Sequence, residues 1–178
     1  MKLRSKPAAL LAALVAAVAL VSGCGEESHS EVVEGEPLEL GGLNYNIAIT
    51  RFLNPDDVED AEYLEGQAPP PEGMEYLGVF LTIRNETDKA LASAESYTVV
   101  DTTGAEYEPI EAENPYTLEI GTIVPANGVV PQPGSTAANS AIQGAMLLFL
   151  VEQEVSENRP LELEIVSGDE EGKVALDI

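Results

Sequence analysis

The chain is poor in the residues that build most protein chemistry. Of its 178 residues one is cysteine, one is histidine and none is tryptophan, and aromatics make up 5%. A single cysteine excludes an intramolecular disulfide framework. One Cys and one His cannot furnish the four ligands of a structural zinc site. Nucleophilic triads need a base beside the nucleophile, and the sole imidazole, His29, sits in a polar acidic stretch. Cations are scarce as well, with Lys plus Arg at 8 against Asp plus Glu at 32, a formal charge of −24. Nucleic-acid readers carry the opposite sign, so no nucleic-acid partner is expected. Phosphate loops are missing: Gly41-Gly42 is a lone pair, and the stretch after Gly121 lacks the P-loop lysine. Carboxylates are abundant, but a glycosidase needs two held about 5–9.5 Å apart across a cleft. Nothing selects one pair among 32. No catalytic residue is assigned, and the chain is read as a non-enzyme.

The few cations are placed informatively. Lys2, Arg4 and Lys6 precede an unbroken apolar run over residues 8–21, fourteen residues of Ala, Leu and Val. A membrane-spanning helix needs about 20 such residues, whereas a secretory signal core needs about 7–15 behind a positive start. The run ends in Val21-Ser22-Gly23-Cys24. An aliphatic residue, two small residues and a cysteine form the pattern of a bacterial lipobox, in which the Cys24 thiol takes a diacylglyceryl group. Two acyl chains, at about 0.8 kcal/mol per buried methylene, make a stable anchor. Residues 1–23 are therefore expected to be a signal peptide. The mature chain then begins at Cys24 on the extracytoplasmic face of the cell membrane. It keeps 5 cations against 32 acids, a net charge of −27. Apart from this acyl lipid no cofactor is expected.

Residues 24–37 carry the lipidated Cys and an acidic, polar stretch that reads as a flexible spacer. Within it His29 is expected to be a solvated linker residue. From residue 38 to 178 the pattern has a period of two. Leu43, Tyr45, Ile47 and Ile49 alternate with polar or small residues. Leu77, Val79, Leu81 and Ile83 form one face of a second strand, with Tyr76, Phe80, Thr82 and Arg84 on the other. A strand apolar on much of both faces suits a central position. Residues 97–101 and 105–110 flank Thr102-Thr103-Gly104 as a hairpin. Residues 142–151 are the most apolar stretch of the mature chain, and their Gly144 favours a strand over a helix. Leu161, Leu163 and Ile165, then Val174, Leu176 and Ile178, complete the pattern. Met74 and Met146 are expected in strands as packing residues rather than copper ligands. The sum is an all-β fold, an immunoglobulin-like antiparallel β-sandwich of seven to eight strands held by apolar packing alone.

The order of these pieces resembles a known family. The 76–85 strand ending in Arg84-Asn85 leads through a polar turn to Lys89-Ala90. The 97–107 hairpin with Asp101 and Gly104 follows. Then come Pro133-Gly134, Ile142-Gln143-Gly144 and the apolar 146–151 strand before 161–165. Together they resemble bacterial extracytoplasmic lipoproteins with an immunoglobulin-like domain of unknown function, akin to the immunoprotective extracellular superfamily. The resemblance covers roughly residues 40–167. It implies an exported, lipid-anchored sandwich without catalytic residues, so no site transfers from it.

Two loops hold the binding candidates. Residues 54–73 bring Asp56, Asp57, Glu59 and Asp60 close together, followed by Pro69-Pro70-Pro71. Hard oxygen donors at this spacing suit Ca²⁺, although the regular Asp-x-Asp-x-Asp-Gly pattern is lacking. A solvated charged insert is the simpler expectation. Residues 114–141 place Tyr116, Ile120, Ile123, Val124, Val129 and Val130 among Pro and Gly, either as a partner patch or folded back on the sandwich. The leading expectation is a membrane-anchored, non-catalytic binding module engaging an envelope protein. Alternatives are a Ca²⁺-binding domain using the acidic insert, and a small-molecule-binding lipoprotein associated with a transporter.

Overall fold

Alternation of apolar residues along two long strands organises the molecule, which the computed structural model describes over residues 29–178. The expected signal peptide, the Val21-Ser22-Gly23 motif and Cys24 lie outside the described residues. Strand β1 is His29–Val33, β2 Pro37–Leu40, β3 Leu43–Leu53, β4 Met74–Arg84, β5 Leu91–Ala92 and β6 Ser96–Val100. Then follow β7 Glu106–Tyr107, β8 Ile123–Val124, β9 Val129–Val130, β10 Ala145–Glu152, β11 Leu161–Ser167 and β12 Glu170–Leu176. Short helices α1 (Val58–Ala61) and α2 (Thr136–Asn139) and a 3₁₀ turn (Gln153–Glu157) interrupt them. No helix among the described residues is long and apolar enough to cross a membrane.

Two five-stranded sheets face each other. One runs β1-β12-β11-β6-β7 and the other β10-β4-β3-β2, with β9 also pairing β4. The pair β5-β8 stands apart. Eight of the strands have four or more residues, and the fold is the immunoglobulin-like β-sandwich expected. All pairings are antiparallel except β1 with β12.

Each face of the alternation has a destination. Leu77, Val79, Leu81 and Ile83 of β4 join Leu147, Phe149 and Val151 of β10 in the main core. Across the gap stand Leu161, Leu163 and Ile165 of β11 and Val174 of β12. The other face of β4 and β10, with Tyr76, Phe80, Met146 and Leu148, is also buried, beneath a second apolar cluster. The sheets approach closely at Gly172, where an added Cβ would lie 2.7 Å from Leu38 Cδ2. On the second face, a Cβ at Gly78 would lie 2.9 Å from Leu53 Cδ1. Any larger residue at either position must displace its neighbour.

The structure corrects three expectations. First, the flexible spacer of residues 24–37 does not extend to Pro37, because the sandwich begins at His29. Strand β1 gains backbone pairing along the edge of β12, from His29 opposite Glu171 to Val33 opposite Ala175. Val32 packs against the main core. A polar strand orders here because a neighbouring edge supplies its hydrogen bonds. His29 is thus a strand residue rather than a linker residue. Second, the alternation of β3 slips at a bulge between Ile47 and Ile49. Leu43, Tyr45 and Ile47 point inward, Ile49 is turned to solvent, and Thr50 takes the buried position. Third, the acidic insert is not merely solvated, since Tyr63 and Leu64 are buried.

Polar contacts close the ends. Tyr45 Oη accepts the Ala94 amide at 2.8 Å inside the molecule, fixing the chain where it crosses between sheets. At the β6–β7 hairpin Asp101 accepts from the Thr103 hydroxyl (2.6 Å), the Thr103 and Ala105 amides and the Asn158 amide group. The Thr103 hydroxyl bond is the main cause holding the Asp101 carboxyl below the usual carboxylate range; the other donors add to it and partial burial opposes it.

Two outcomes are expected from this arrangement. Tyr63→Ala costs about 3 kcal/mol in a urea titration, the range for deleting a buried aromatic ring, whereas a solvated insert would tolerate it. Because the folded pKa of Asp101 is lowered, its contribution is present above the unfolded value of about 3.9 and is lost as pH falls through the folded value. The stability gap between wild type and Asp101→Asn is therefore constant near neutrality and closes in the acid. Urea midpoints compared pH by pH would show it.

Candidate functional site

The outer face of the second sheet is where the two candidate loops meet. Leu53 carries the chain off β3 into the insert, and α1 is capped by Asp57, whose carboxylate accepts the Glu59 amide at 2.8 Å. This single turn directs Asp60 inward. Its Oδ1 lies 2.6 Å from Arg51 Nη2, and its Oδ2 accepts the Asn54 amide at 2.9 Å. Tyr63 follows, with its ring edge-on to Phe80 (centroids 5.0 Å apart) and to Tyr116 (4.7 Å).

The 114–141 segment folds back onto the same place. Asn114 Nδ2 donates to Tyr63 O at 2.8 Å, and the Gln67 side chain donates to Glu111 O at 3.0 Å. Tyr116 Oη donates to Glu62 Oε2 at 2.8 Å. Desolvation first, and then the acceptor Glu62 and its acidic surroundings, push the Tyr116 hydroxyl up to about 12, so it remains a proton donor. Of the apolar residues expected in this segment, Tyr116 and Val124 are buried while Ile120 and Ile123 stay exposed. Tyr116 and Val124 thus fold back on the sandwich, while Ile120 and Ile123 face solvent.

One groove results from this folding. Ile110 N donates to Leu148 O at 2.7 Å, Leu118 N donates to Met146 O at 2.8 Å, and Met146 N donates to Tyr116 O at 2.7 Å. Two segments thus latch onto one edge of β10. They lie antiparallel at Pro109 opposite Phe149 and parallel at Thr117 opposite Met146. Where they diverge they leave a groove of about 430 Å³ over the buried β10 residues Met146, Leu147 and Leu148, bordered by Ile110, Ala112 and the exposed Ile120. Glu111 and Glu113 also line it and are exposed to solvent. Its volume falls within the range of small-molecule and peptide side-chain pockets. An apolar rim at Ile110, Ala112 and Ile120 with carboxylates beside it favours an apolar group flanked by positive charge. Neither groove wall is legible from periodicity, because residues 109–118 pair with β10 through isolated bridges rather than through a strand.

The four acids considered for a cation do not converge. Asp56, Asp57 and Glu59 are exposed, Asp57 serves as a helix cap, and Asp60 turns away to Arg51. No group of three or more His, Cys, Asp or Glu side chains is placed to hold a metal ion among the described residues. The Asn85-Glu86-Thr87 triplet, formally a glycosylation sequon, has a structural role. Asn85 is buried, and its Nδ2 donates to Lys89 O at 2.7 Å and Val124 O at 3.0 Å. Met74 and Met146 lie in strands, and Met146 is packed in the second cluster.

No protein-family model matches the chain, and no curated protein matches it in sequence. Solved structures share its fold. An uncharacterised β-sandwich protein from Clostridium difficile 630 is 15% identical, with 85% of this chain and 97% of that one covered and a TM-score of 0.52. The yjhA protein from Bacillus subtilis is 11% identical over 83% and 99% of the two chains, with a TM-score of 0.49. The secreted protein MPT63 from Mycobacterium tuberculosis is 11% identical over 83% and 98%, with a TM-score of 0.48. The first of these independently places the chain among β-sandwich proteins.

Asp60 separates structural from metal-binding roles for the insert. Asp60→Ala strands Arg51 and the Asn54 amide and is expected to cost about 2 kcal/mol, held below the fully buried value by the partial exposure of Arg51. Asp56→Ala is expected to stay within about 0.5 kcal/mol. Chemical denaturation of both variants in chelator checks the contrast.

Proposed function

We propose that this protein is an exported, membrane-anchored, non-catalytic binding module. The cationic start, the fourteen-residue apolar run and the Val21-Ser22-Gly23-Cys24 motif support export and acylation at Cys24. The observation that carries the binding role is the groove along β10, a concavity edged by Ile110, Ala112 and Ile120 and built by two loop segments on a strand buried on both faces. Loops positioned by a rigid scaffold are where binding surfaces usually form. The partner is an envelope protein that presents apolar side chains beside Lys or Arg, because Glu111 and Glu113 border the groove on a body of charge −27 after processing.

The test uses the full chain in its own envelope. A photo-crosslinking residue at Ile120 is expected to capture a discrete partner, and Ile110→Asp in the same chain is expected to abolish that product. Capture that persists undiminished in Ile110→Asp would remove the groove from the function. Cys24→Ser is expected to shift the protein from the detergent phase to the aqueous phase of a detergent separation. A wild-type chain already wholly aqueous would contradict the anchor.

A further inference from the structure

The place where the sandwich begins bears on how it stands on a membrane. Counting from Cys24, His29 is the fifth residue along, and a chain spans at most about 3.3–3.6 Å per residue. The start of β1 therefore lies within about 18 Å of the acylated sulfur. The eleven-residue strands β3 and β4 make the sandwich about 36 Å long at about 3.3 Å per residue. A spacer running to Leu38 would have reached about 50 Å and let any face of the domain meet the lipid. The shorter link does not reach past the domain, so one end stays against the bilayer.

The topology says which end. Because β1 runs parallel to β12, its first residue lies beside the β11–β12 turn, with His29 opposite Glu171. The β2–β3 turn is at the same end, since Gly41 N donates to Glu170 Oε2 at 2.8 Å. Strand β4 finishes there too, with Arg84 opposite Asn44. The β5–β8 pair closes that end. Gly42 abuts Leu91, and Glu95 N donates to Val166 O. On the connection into β8, the Gly121 amide donates to Ala94 O, and on either side stand Ile120 and Ile123, 46% and 60% exposed. Arg84 and Lys89 are exposed at this end as well.

Building on the proposed acylation of Cys24, we infer that this end of the sandwich is a lipid-facing surface, with Ile123 entering the headgroup layer while Ile120 borders the groove. An exposed branched apolar side chain on a short edge strand, with Arg84 and Lys89 at the same end, can enter a headgroup layer. Glu39, Glu86, Asp88, Glu95, Glu119, Asp169 and Glu170 share this end and are exposed, so the surface is acidic and suits zwitterionic rather than anionic headgroups. Opposite it, α1 with Val58 faces away from the membrane.

Single-cysteine labelling tests this directly, because acylation leaves no other thiol in the chain. Ile123→Cys and Val58→Cys, both exposed and so tolerated, are made in the acylated full-length protein. Each is labelled with a fluorophore and bound to phosphatidylcholine vesicles containing a headgroup nitroxide lipid. Quenching at position 123 is expected to exceed that at 58 several-fold. Equal quenching at the two positions in protein that sediments with the vesicles would overturn the lipid-facing end while leaving the anchor intact. Protein that fails to sediment and shows an unmodified Cys24 by mass would bring down the anchor, and the lipid-facing end with it.

Discussion

Burial of β4 on both faces is the constraint from which the rest follows. Its Leu77, Val79, Leu81 and Ile83 require the opposing sheet, and its Tyr76 and Phe80 require a second cover. A simple sandwich leaves the outer face of each sheet to water. Here that solution is closed, so the insert after β3 and the long segment before β10 must fold over the outer face. The groove along β10 is a by-product of this requirement. Two segments drawn to the same apolar strip approach one edge of β10 from different directions, cover it, and leave the groove between themselves.

The paired alternation of β3, β4, β11 and β12 made the β-sandwich legible in the sequence, because strand period depends only on which face a residue takes. The hairpin at Asp101 was legible because a turn glycine is a local signal, and Gly104 does take positive φ. The long acidic insert misled because charge density hides single anchors. Tyr63 and Leu64 sit between Glu62 and Glu65, and their burial depends on Phe80 and Tyr116, which are distant in sequence. Strand β1 was hidden for a similar reason. A polar segment forms a strand when an edge is available, and availability is a tertiary fact. The expected lipobox, Val21-Ser22-Gly23-Cys24, lies outside the described residues. The groove was partly foreshadowed by the length of the 114–141 segment, but its walls required the bridges at Pro109 and Thr117.

Charge is used sparingly and locally. Arg51 is committed to Asp60, Lys173 to Glu164 and Glu171, and Arg159 to the carbonyls of Ser156 and Ile178. Hydrogen bonding to Glu164 is the main cause raising the Lys173 pKa, so this cation stays charged across the neutral range. Arg84 and Lys89 remain for solvent or for whatever lies beneath that end of the sandwich. The surrounding carboxylates favour cationic partners everywhere else, which leaves specificity to the shape of the apolar surfaces rather than to sign.

The parallel pairing of β1 with β12 has a mechanical meaning. If the polypeptide is held by its amino terminus while a partner pulls on the body, tension enters along the axis of β1. All five register pairs, from His29 opposite Glu171 to Val33 opposite Ala175, then bear the load at once in shear. An edge strand joined at its far end would instead peel away one hydrogen bond at a time. A pull on the amino terminus would therefore draw on a whole ladder rather than on its last rung.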